Sequence, residues 1–289
     1  MLVVALALLI AAAFMHAGWN YFAKGAVNDV PLQVAYLGVS AVAYLPIAAI
    51  ALVFFDPILT LAGLGFALAS CCIHLAYYTL LGRAYAAGDL SLVYPLARGT
   101  GPLLAVMGAI VIFGETPGPL GIAGTLLIVA GILVTSWSGD LASLRGGSTA
   151  IAFALATGAM TATYTLWDKE GVQRLSPVLY SYTLDIGRLL MLGPALFALG
   201  NVAAMRTVWG APTQRRAALA IGLLSPGAYL LVLVALRIAP ASYVAPAREI
   251  SVLIGTLLGV RLLGEAAAVR RVTGAAMIVA GIVALTLGQ

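Results

Sequence analysis

Two arginines stand in apolar stretches of this 289-residue chain. Arg98 follows YPLA and Arg248 follows VAPA, and a glycine–glutamate pair ending at Glu115 or Glu265 comes at the same distance after each. A guanidinium keeps its charge and binds a carboxylate through two hydrogen bonds. The two arginines are therefore candidates for contacts with a substrate carboxylate. The alternative is that each arginine fixes a neighbouring turn by donating to backbone carbonyls.

Further polar and aromatic side chains recur in the apolar stretches at a spacing of four residues, which places them on one face of a helix. Ionisable groups inside a membrane are costly and tend to face a cavity or a partner. An aromatic belt at the bilayer surface is the alternative for tyrosines near the ends of the runs, such as Tyr21, Tyr85 and Tyr180. We predict that the following residues line a central substrate-binding cavity: His16, Trp19, Asn20, His74, Tyr78, Tyr94, Arg98, Tyr164, Trp167, Tyr243 and Arg248.

Four ionisable side chains are candidates for coupling to protons: His16, His74, Asp168 and Asp185. Histidine changes charge near neutral pH, which suits such a role. Each histidine also fits a hydrogen-bonded core position, and Asp185 and Arg188 are close enough on one helix to neutralise each other. Glu115 and Glu265 follow glycines close to the next helix, where a carboxylate favours the helix dipole, so we expect a structural role for both.

The elements that must position these residues follow from composition. The chain is 63% hydrophobic and 9% charged, with a mean hydropathy of +1.08, whereas soluble domains carry about 25% charged residues. A membrane-crossing helix needs ~20 apolar residues, and alternating barrel strands are not visible. We therefore predict an all-α integral membrane protein with ten transmembrane helices. The runs cover residues 2–23, 30–54, 59–82, 90–113, 118–138, 148–168, 177–199, 215–236, 240–262 and 269–288.

Charge in the loops indicates orientation rather than a nucleic-acid partner, although the net charge is +5. Loops on the side of the termini hold three Lys and Arg residues, and loops on the other side hold nine. Because cytoplasmic loops carry the excess of positive charge, the count places both termini in the periplasm of a bacterial inner membrane protein. The adjacent Cys71 and Cys72 have no metal-binding spacing, and no ATP-binding or cofactor motif occurs.

The chain contains an internal repeat. Arg98 and Arg248 lie 150 positions apart, and the same shift aligns IVAGI at 128–132 with IVAGI at 278–282. A five-helix unit has an odd number of spans, so a second copy must enter the membrane from the opposite face. Residues 1–144 and 145–289 are thus predicted to form two inverted five-helix repeats. Helices five and ten carry glycines on one face and are expected to pack closely as a scaffold.

The stretches HAGWNYFAK, GDLSLVYPLARG, FGETPGPLGIAGTLLIVAGI and GAAMIVAGIVAL resemble the drug/metabolite transporter superfamily. The similarity is to its ten-helix EamA-type permeases, with the YddG-type aromatic amino-acid exporters as the nearest group. This resemblance implies a carrier for small metabolites. Many relatives are drawn with cytoplasmic termini, which is the opposite of the orientation given by the charge count.

The most consistent interpretation is a secondary transporter that exports amino acids, aromatic ones among them, or similar small metabolites by alternating access. It would need no cofactor and would work as a monomer among membrane lipids, with energy from gradients. Two alternatives stay open. One is an intramembrane enzyme acting on a lipid-linked substrate, and the other is a carrier of the same superfamily that works as an importer.

Overall fold

The computed structural model describes residues 1–22, 29–55, 59–88, 90–136, 147–198, 202–254 and 269–288, and its regular secondary structure there is helical. A five-residue helical stretch at 250–254 adjoins an undescribed segment. The helices are α1 Leu2–Phe22, α2 Val30–Phe54, α3 Leu61–Ala87, α4 Leu90–Phe113, α5 Pro119–Ser136, α6 Ser148–Arg174, α7 Pro177–Ala198, α8 Val202–Gly210, α9 Pro212–Ile238, α10 Ala241–Ala247 and α11 Val269–Leu287.

Seven of the described helices are long and apolar enough to cross a membrane. The number is eight if α7 and α8, which meet at 116°, are counted as one broken span. α5 is shorter, with an apolar segment at Pro119–Thr135. The predicted all-helical membrane architecture is therefore confirmed, whereas the count of ten spans stays a prediction. The short helix α8 lies where the sequence predicted a loop between the seventh and eighth runs.

Capping residues in the loops explain where two of the helices begin. Asp29 accepts a hydrogen bond from the backbone nitrogen of Leu32 at 3.0 Å, at the start of α2. Thr60 accepts one from the backbone nitrogen of Gly63 at 3.1 Å, at the start of α3. Each cap satisfies a backbone donor that has no partner within its helix. The polar and proline-rich breaks in the sequence thus set the helix boundaries.

The main helix pairs are α5 with α11, α3 with α6, α1 with α9, α4 with α6 and α2 with α7. α2 also contacts α9, α3 contacts α7, and α4 contacts α10. The sequence repeat pairs α1 with α6, α2 with α7, α3 with α9, α4 with α10 and α5 with α11. Exchanging each helix for its counterpart turns the α3–α6 pair into the α9–α1 pair. The same exchange turns α2–α9 into α7–α3 and leaves α2–α7, α4–α10 and α5–α11 unchanged.

Glycines form the contact between α5 and α11. A Cβ added to Gly131 would lie 2.7 Å from the backbone oxygen of Gly274. A Cβ added to Gly281 would lie 2.7 Å from the backbone oxygen of Gly124. Side chains at these four positions would force the helices apart, so glycine allows the close approach. The predicted scaffold role of these glycines is confirmed.

Two sides of the bundle can be distinguished. We call the side at which α1 begins and α11 ends the terminal side, and the other one the far side. α3, α7 and α10 also begin at the terminal side, where α6 and α9 end. This assignment follows from antiparallel contacts: Gly18 and Met15 of α1 lie against Leu224 and Gly227 of α9, and Gly63 near the start of α3 lies against Arg174 at the end of α6.

Candidate functional site

A cavity of about 580 Å³ lies at the centre of the bundle. α1, α2, α3, α4, α6, α7 and α9 line it, together with residues that follow α10. Burial by several helices fits the expectation that membrane carriers hold their ligand between repeats. The predicted residues that line it are His16, Trp19, Asn20, His74, Tyr78, Tyr94, Arg98, Tyr164 and Arg248.

Arg98, one of the two arginines that the repeat places in register, has an acidic partner. Its Nη1 lies 3.5 Å from Oε1 of Glu249, whose side chain is only 4% exposed. The same guanidinium donates a hydrogen bond to Nε2 of His16 at 3.2 Å. Its charge is therefore balanced by a carboxylate contributed by the other half of the chain. Glu249 follows Arg248 directly in the sequence, yet its ion pair is with Arg98.

Arg248 has neutral partners. Its guanidinium donates to the hydroxyl of Tyr164 at 3.1 Å and to Oγ1 of Thr165 at 3.2 Å. It also lies over the Tyr164 ring, 5.5 Å from the ring centroid. None of the ion pairs formed by described residues includes Arg248. Each arginine thus contacts the first helix of its own half, but only Arg98 contacts a carboxylate.

Arg188 and Asp185 form a second internally balanced pair in the cavity wall. Arg188 Nη1 lies 3.5 Å from Oδ1 of Asp185, and Ser40 donates to the other carboxylate oxygen at 2.6 Å. Arg188 also donates to the hydroxyl of Tyr36 at 3.3 Å and lies over the ring of Tyr78 at 4.8 Å. The alternative that Asp185 and Arg188 neutralise each other therefore agrees with the structure.

Aromatic rings cover one wall of the cavity. The rings of His74 and Tyr164 are stacked with centroids 4.4 Å apart, and Tyr229 meets His74 edge-on at 5.3 Å. Tyr77 packs edge-on against Tyr164 at 5.7 Å and against Tyr78 at 5.0 Å. Offset or edge-on ring contacts of this kind contribute about 0.5–1.5 kcal/mol beyond the buried area. The wall offers the same contacts to a flat or apolar ligand.

Asp168 lies behind this wall and does not line the cavity. Its carboxylate is fully buried and accepts hydrogen bonds from Ser70 at 2.5 Å, from Tyr180 at 2.7 Å and from the hydroxyl of Tyr229. These donors come from α3, α7 and α9, respectively. Tyr180 is therefore a buried hydrogen-bond donor and not part of an aromatic belt. Tyr85, another residue with the belt alternative, lines the cavity instead.

Within the described residues, the lining of the cavity extends to the far side of the bundle. Asn20, close to the end of α1, is exposed and lines the cavity. Tyr85 and Tyr94 line it where α3 ends and α4 begins. The described lining thus runs from the two arginines to the far ends of α1 and α3.

The terminal side is held together by contacts between helices. Lys169 of α6 donates to the backbone oxygens of Leu236 and Ala239 at 2.7 Å and 2.9 Å. These carbonyls lie at the end of α9, where the helix dipole favours a cation. Trp167 of α6 donates to the backbone oxygen of Phe66 of α3 at 2.9 Å.

Comparison with known proteins gives a family for the second half of the chain. Residues 148–287 match the EamA-like transporter family. These residues, just under half of the chain, are similar to an EamA-like transporter domain. The family consists of membrane transporters of small molecules, so the cavity is a candidate transport site. One solved crystal structure resembles this chain with a TM-score of 0.74 at 17% sequence identity. The similarity covers 98% of this chain and 96% of that one, and it supports the fold alone. No curated protein matches the chain.

Two predicted site residues in the EamA-like domain lie away from the cavity. Trp167 is 36% exposed on the outside of α6 and stacks on Phe66 at 4.6 Å. It follows Tyr164 by three positions, which turns it about 60° away on a helix with 3.6 residues per turn. Tyr243 is fully buried, and its hydroxyl lies 3.3 Å from Oγ1 of Thr286. Contacts of α10 with α4 and α11 keep Tyr243 inside the helix packing.

Some cavity residues were absent from the predicted set. Tyr77 and Tyr229 line the cavity, as do Thr157 and Thr161 of the EamA-like domain. Thr157, Thr161 and Tyr164 recur at helical spacing on α6, and this signal could have identified both threonines.

Glu115 has a structural role, at a helix other than the next one. Its two carboxylate oxygens accept hydrogen bonds from the backbone nitrogens of Ala241 and Ser242, each at 2.8 Å. It therefore caps the N-terminus of α10 in the other half, whereas we expected it near α5. A carboxylate is favoured there because the first backbone N–H groups of a helix lack internal partners. Glu265 lies outside the described residues.

Proposed function

We propose that the whole chain is a secondary membrane carrier, and that its cavity binds small metabolites with a carboxylate group, amino acids foremost. The observation that carries this proposal is Arg248, a cation in the cavity wall whose partners among the described residues are neutral. Arg98 and Arg188 each form an ion pair with a carboxylate, whereas the described residues leave the charge of Arg248 without a direct carboxylate contact. A carboxylate ligand would balance that charge through two hydrogen bonds.

The cavity dimensions and its aromatic wall suit a substrate of this kind. A volume of about 580 Å³ lies within the roughly 300–1,000 Å³ typical of small-molecule sites. His74, Tyr164 and Tyr229 present ring faces and edges next to Arg248. We propose that an aromatic or apolar side chain of the substrate packs on these rings while its carboxylate meets the guanidinium.

We propose ten spans arranged as two inverted repeats, residues 1–144 and 145–289, which exchange conformations to expose the cavity on either side. The helix pairing supports this arrangement, because α3–α6 and α1–α9 exchange under the repeat. Antiparallel contacts between Gly124 and Gly281 and between Gly131 and Gly274 support it as well. Alternating access follows when one repeat rocks against the other around a fixed site.

We propose export from the cytoplasm, powered by a gradient. The far side carries the excess of Lys and Arg in the sequence, and this favours a cytoplasmic location. Arg215 is exposed there at the start of α9, whereas Lys24 and Arg145 lie outside the described residues. A cavity open at that side would collect its substrate from the cytoplasm and release it across a bacterial inner membrane, with both termini in the periplasm.

Counterflow in proteoliposomes tests the proposed function. Vesicles that contain the purified protein and an unlabelled amino acid should accumulate the same labelled amino acid transiently, and aromatic ones most strongly. Arg248→Gln should reduce this accumulation, and Arg215→Gln is the matched control because its side chain is exposed outside the cavity. Absence of counterflow for every amino acid and for every small carboxylate tested would refute the proposed substrate class.

A further inference from the structure

We propose that Asp168 is a proton-binding site whose occupancy determines how firmly the terminal side is closed. The proposal rests on the proposed function, since it concerns the energy source of the same carrier. It starts from the position of Asp168, which lies between the cavity wall and the terminal side. The carboxylate is fully buried, and no ion pair among the described residues includes it.

Hydrogen bonds to Asp168 join four helices. Ser70 of α3 and Tyr180 of α7 donate to Oδ1 at 2.5 Å and 2.7 Å, and Tyr229 of α9 donates to Oδ2. Asp168 itself belongs to α6. The terminal side can open only if α6 separates from some of these helices, and that separation breaks one or more of the three bonds. Asp168 thus stabilises the closed arrangement of the terminal side.

The strength of these three hydrogen bonds depends on the charge of Asp168. Hydrogen bonds to an ionised carboxylate are roughly twice as strong as bonds between neutral groups. A proton on Asp168 removes this charge and weakens all three bonds together. Acid therefore favours opening of the terminal side, and loss of the proton favours the closed arrangement seen in the structure. By linkage, the conformation with an open terminal side binds the proton more tightly.

The charged groups near Asp168 have other partners among the described residues, so we assign the proton to Asp168. Lys169 turns away to the end of α9, and Arg248 contacts the preceding turn of α6 through Tyr164 and Thr165. The remaining neighbours are the hydroxyls of Tyr180 and Tyr229 and, one contact further, the ring of His74. None of these neighbours forms an ion pair with Asp168 within the described part of the chain.

A short chain of polar groups connects Asp168 with the cavity. His74 lines the cavity, and its Nδ1 lies 3.2 Å from Oγ of Ser70 and 2.9 Å from the backbone oxygen of Ser70. Ser70 in turn donates to Asp168. A proton can therefore pass between the carboxylate and cavity water through Ser70 and His74. A shift of 145 positions aligns Tyr164 and Lys169 with Trp19 and Lys24 and places Ala23 opposite Asp168, so the sequence repeat supplies no second carboxylate at this position.

Cysteine labelling at the terminal side tests whether Asp168 keeps that side closed. Val172 is fully buried one turn beyond Asp168, so Val172→Cys should react with a membrane-impermeant thiol reagent only when that side opens. The background is Cys71→Ala/Cys72→Ala. We expect the labelling rate to rise several-fold on acidification, and Asp168→Asn should give fast labelling at every pH. Unchanged pH dependence in Asp168→Asn would overturn the proposal.

A tyrosine variant provides a milder change if Asp168→Asn fails to fold. Tyr180→Phe removes one donor to Asp168 and should give intermediate labelling at neutral pH. Tyr182→Phe is the matched control, because its hydroxyl donates to the backbone oxygen of Ala41 and not to Asp168. Equal labelling of both variants and of the parent would also overturn the proposal.

Transport measurements separate this proposal from the proposed function. With equal pH on both sides, wild type and Asp168→Asn should both show counterflow. A pH gradient should accelerate net transport by wild type several-fold and leave Asp168→Asn unchanged. Wild-type counterflow without any response to the gradient refutes the proton site alone, whereas absence of counterflow in wild type refutes the proposed function.

Discussion

Arg98 and Arg248 occupy equivalent positions in the repeat, yet they differ in what balances their charge. Arg98 forms an ion pair with Glu249 at 3.5 Å and donates to His16. Within the described part of the chain, Arg248 donates to the hydroxyls of Tyr164 and Thr165 and forms no ion pair. The difference arises from one residue, because the repeat aligns Glu249 with Gly99.

If the chain is the proposed carrier, the comparison explains how two repeats would form one site for an anionic ligand. The repeat supplies two guanidiniums that face one cavity, and one added carboxylate neutralises the guanidinium of the opposite half. An arginine without an acidic partner costs about 2.5–3.5 kcal/mol at the centre of a membrane on insertion scales. Two neutral hydrogen bonds offset only part of this cost. The unbalanced arginine is therefore the position at which an anionic ligand gains most.

The largest expected effect follows removal of the unbalanced charge. Arg248→Gln keeps a hydrogen-bonding side chain but loses the cation that meets the carboxylate. A charge-assisted hydrogen bond contributes about 1.5–3 kcal/mol, so the half-saturating substrate concentration in counterflow should rise roughly 10- to 100-fold. Arg215→Gln, at an exposed position, should leave it unchanged. A rise of equal size in both variants would contradict the special role of Arg248.

Moving the unbalanced charge from one arginine to the other sharpens the comparison. In the double variant Arg248→Gln/Glu249→Gln, Arg98 loses its acidic partner and becomes the unbalanced cation. We expect about a tenfold recovery of substrate affinity relative to Arg248→Gln, which corresponds to roughly 1.4 kcal/mol. The same counterflow titration measures it. No recovery in a folded double variant would mean that position, and not charge balance, distinguishes the two arginines.

Tyr164→Phe tests the support of Arg248 with a smaller change. It removes one hydrogen bond to the guanidinium but keeps the ring stacked on His74. A hydrogen bond contributes about 0.5–1.5 kcal/mol, so affinity should fall by roughly 2- to 10-fold. Tyr77→Phe keeps a ring in the same wall without a described bond to Arg248 and serves as the control. Equal losses in both variants would assign the effect to the wall as a whole.

The smallest effect is expected at the balanced arginine. Arg98→Lys retains a cation opposite Glu249, so the charge balance of the cavity stays the same. Affinity for carboxylate substrates should change by less than about threefold, equivalent to less than roughly 0.7 kcal/mol. A loss as large as that of Arg248→Gln would show that Arg98 binds the carboxylate directly.

Much of the cavity could be predicted from the sequence, because helical periodicity needs no tertiary information. His16 with Asn20 and His74 with Tyr78 share helix faces that do line the cavity. Trp167 was misplaced because three positions along a helix turn a side chain partly away from its neighbour's direction.

The ionic and hydrogen-bond partners that come from distant parts of the chain could not be predicted from the sequence. Glu249 lies next to Arg248 in the chain, but the turns after α10 direct its carboxylate to Arg98. Asp168 could be chosen as a coupling candidate from its position in an apolar run. Its donors Ser70, Tyr180 and Tyr229 come from three other helices, and only the packing of α6 against them brings these groups together.

Competition between a carboxylate and its neutral amide tests the central claim most directly. Phenylalanine and phenylalanine amide differ at the group that should meet Arg248, and each can be titrated as an inhibitor of counterflow. We expect wild type and Arg98→Lys to prefer the carboxylate by about tenfold or more, equivalent to roughly 1.4 kcal/mol. Arg248→Gln should bind the two with similar affinity. If Arg248→Gln retains the full preference for the carboxylate while the protein stays folded, the carboxylate is bound elsewhere and the account is wrong.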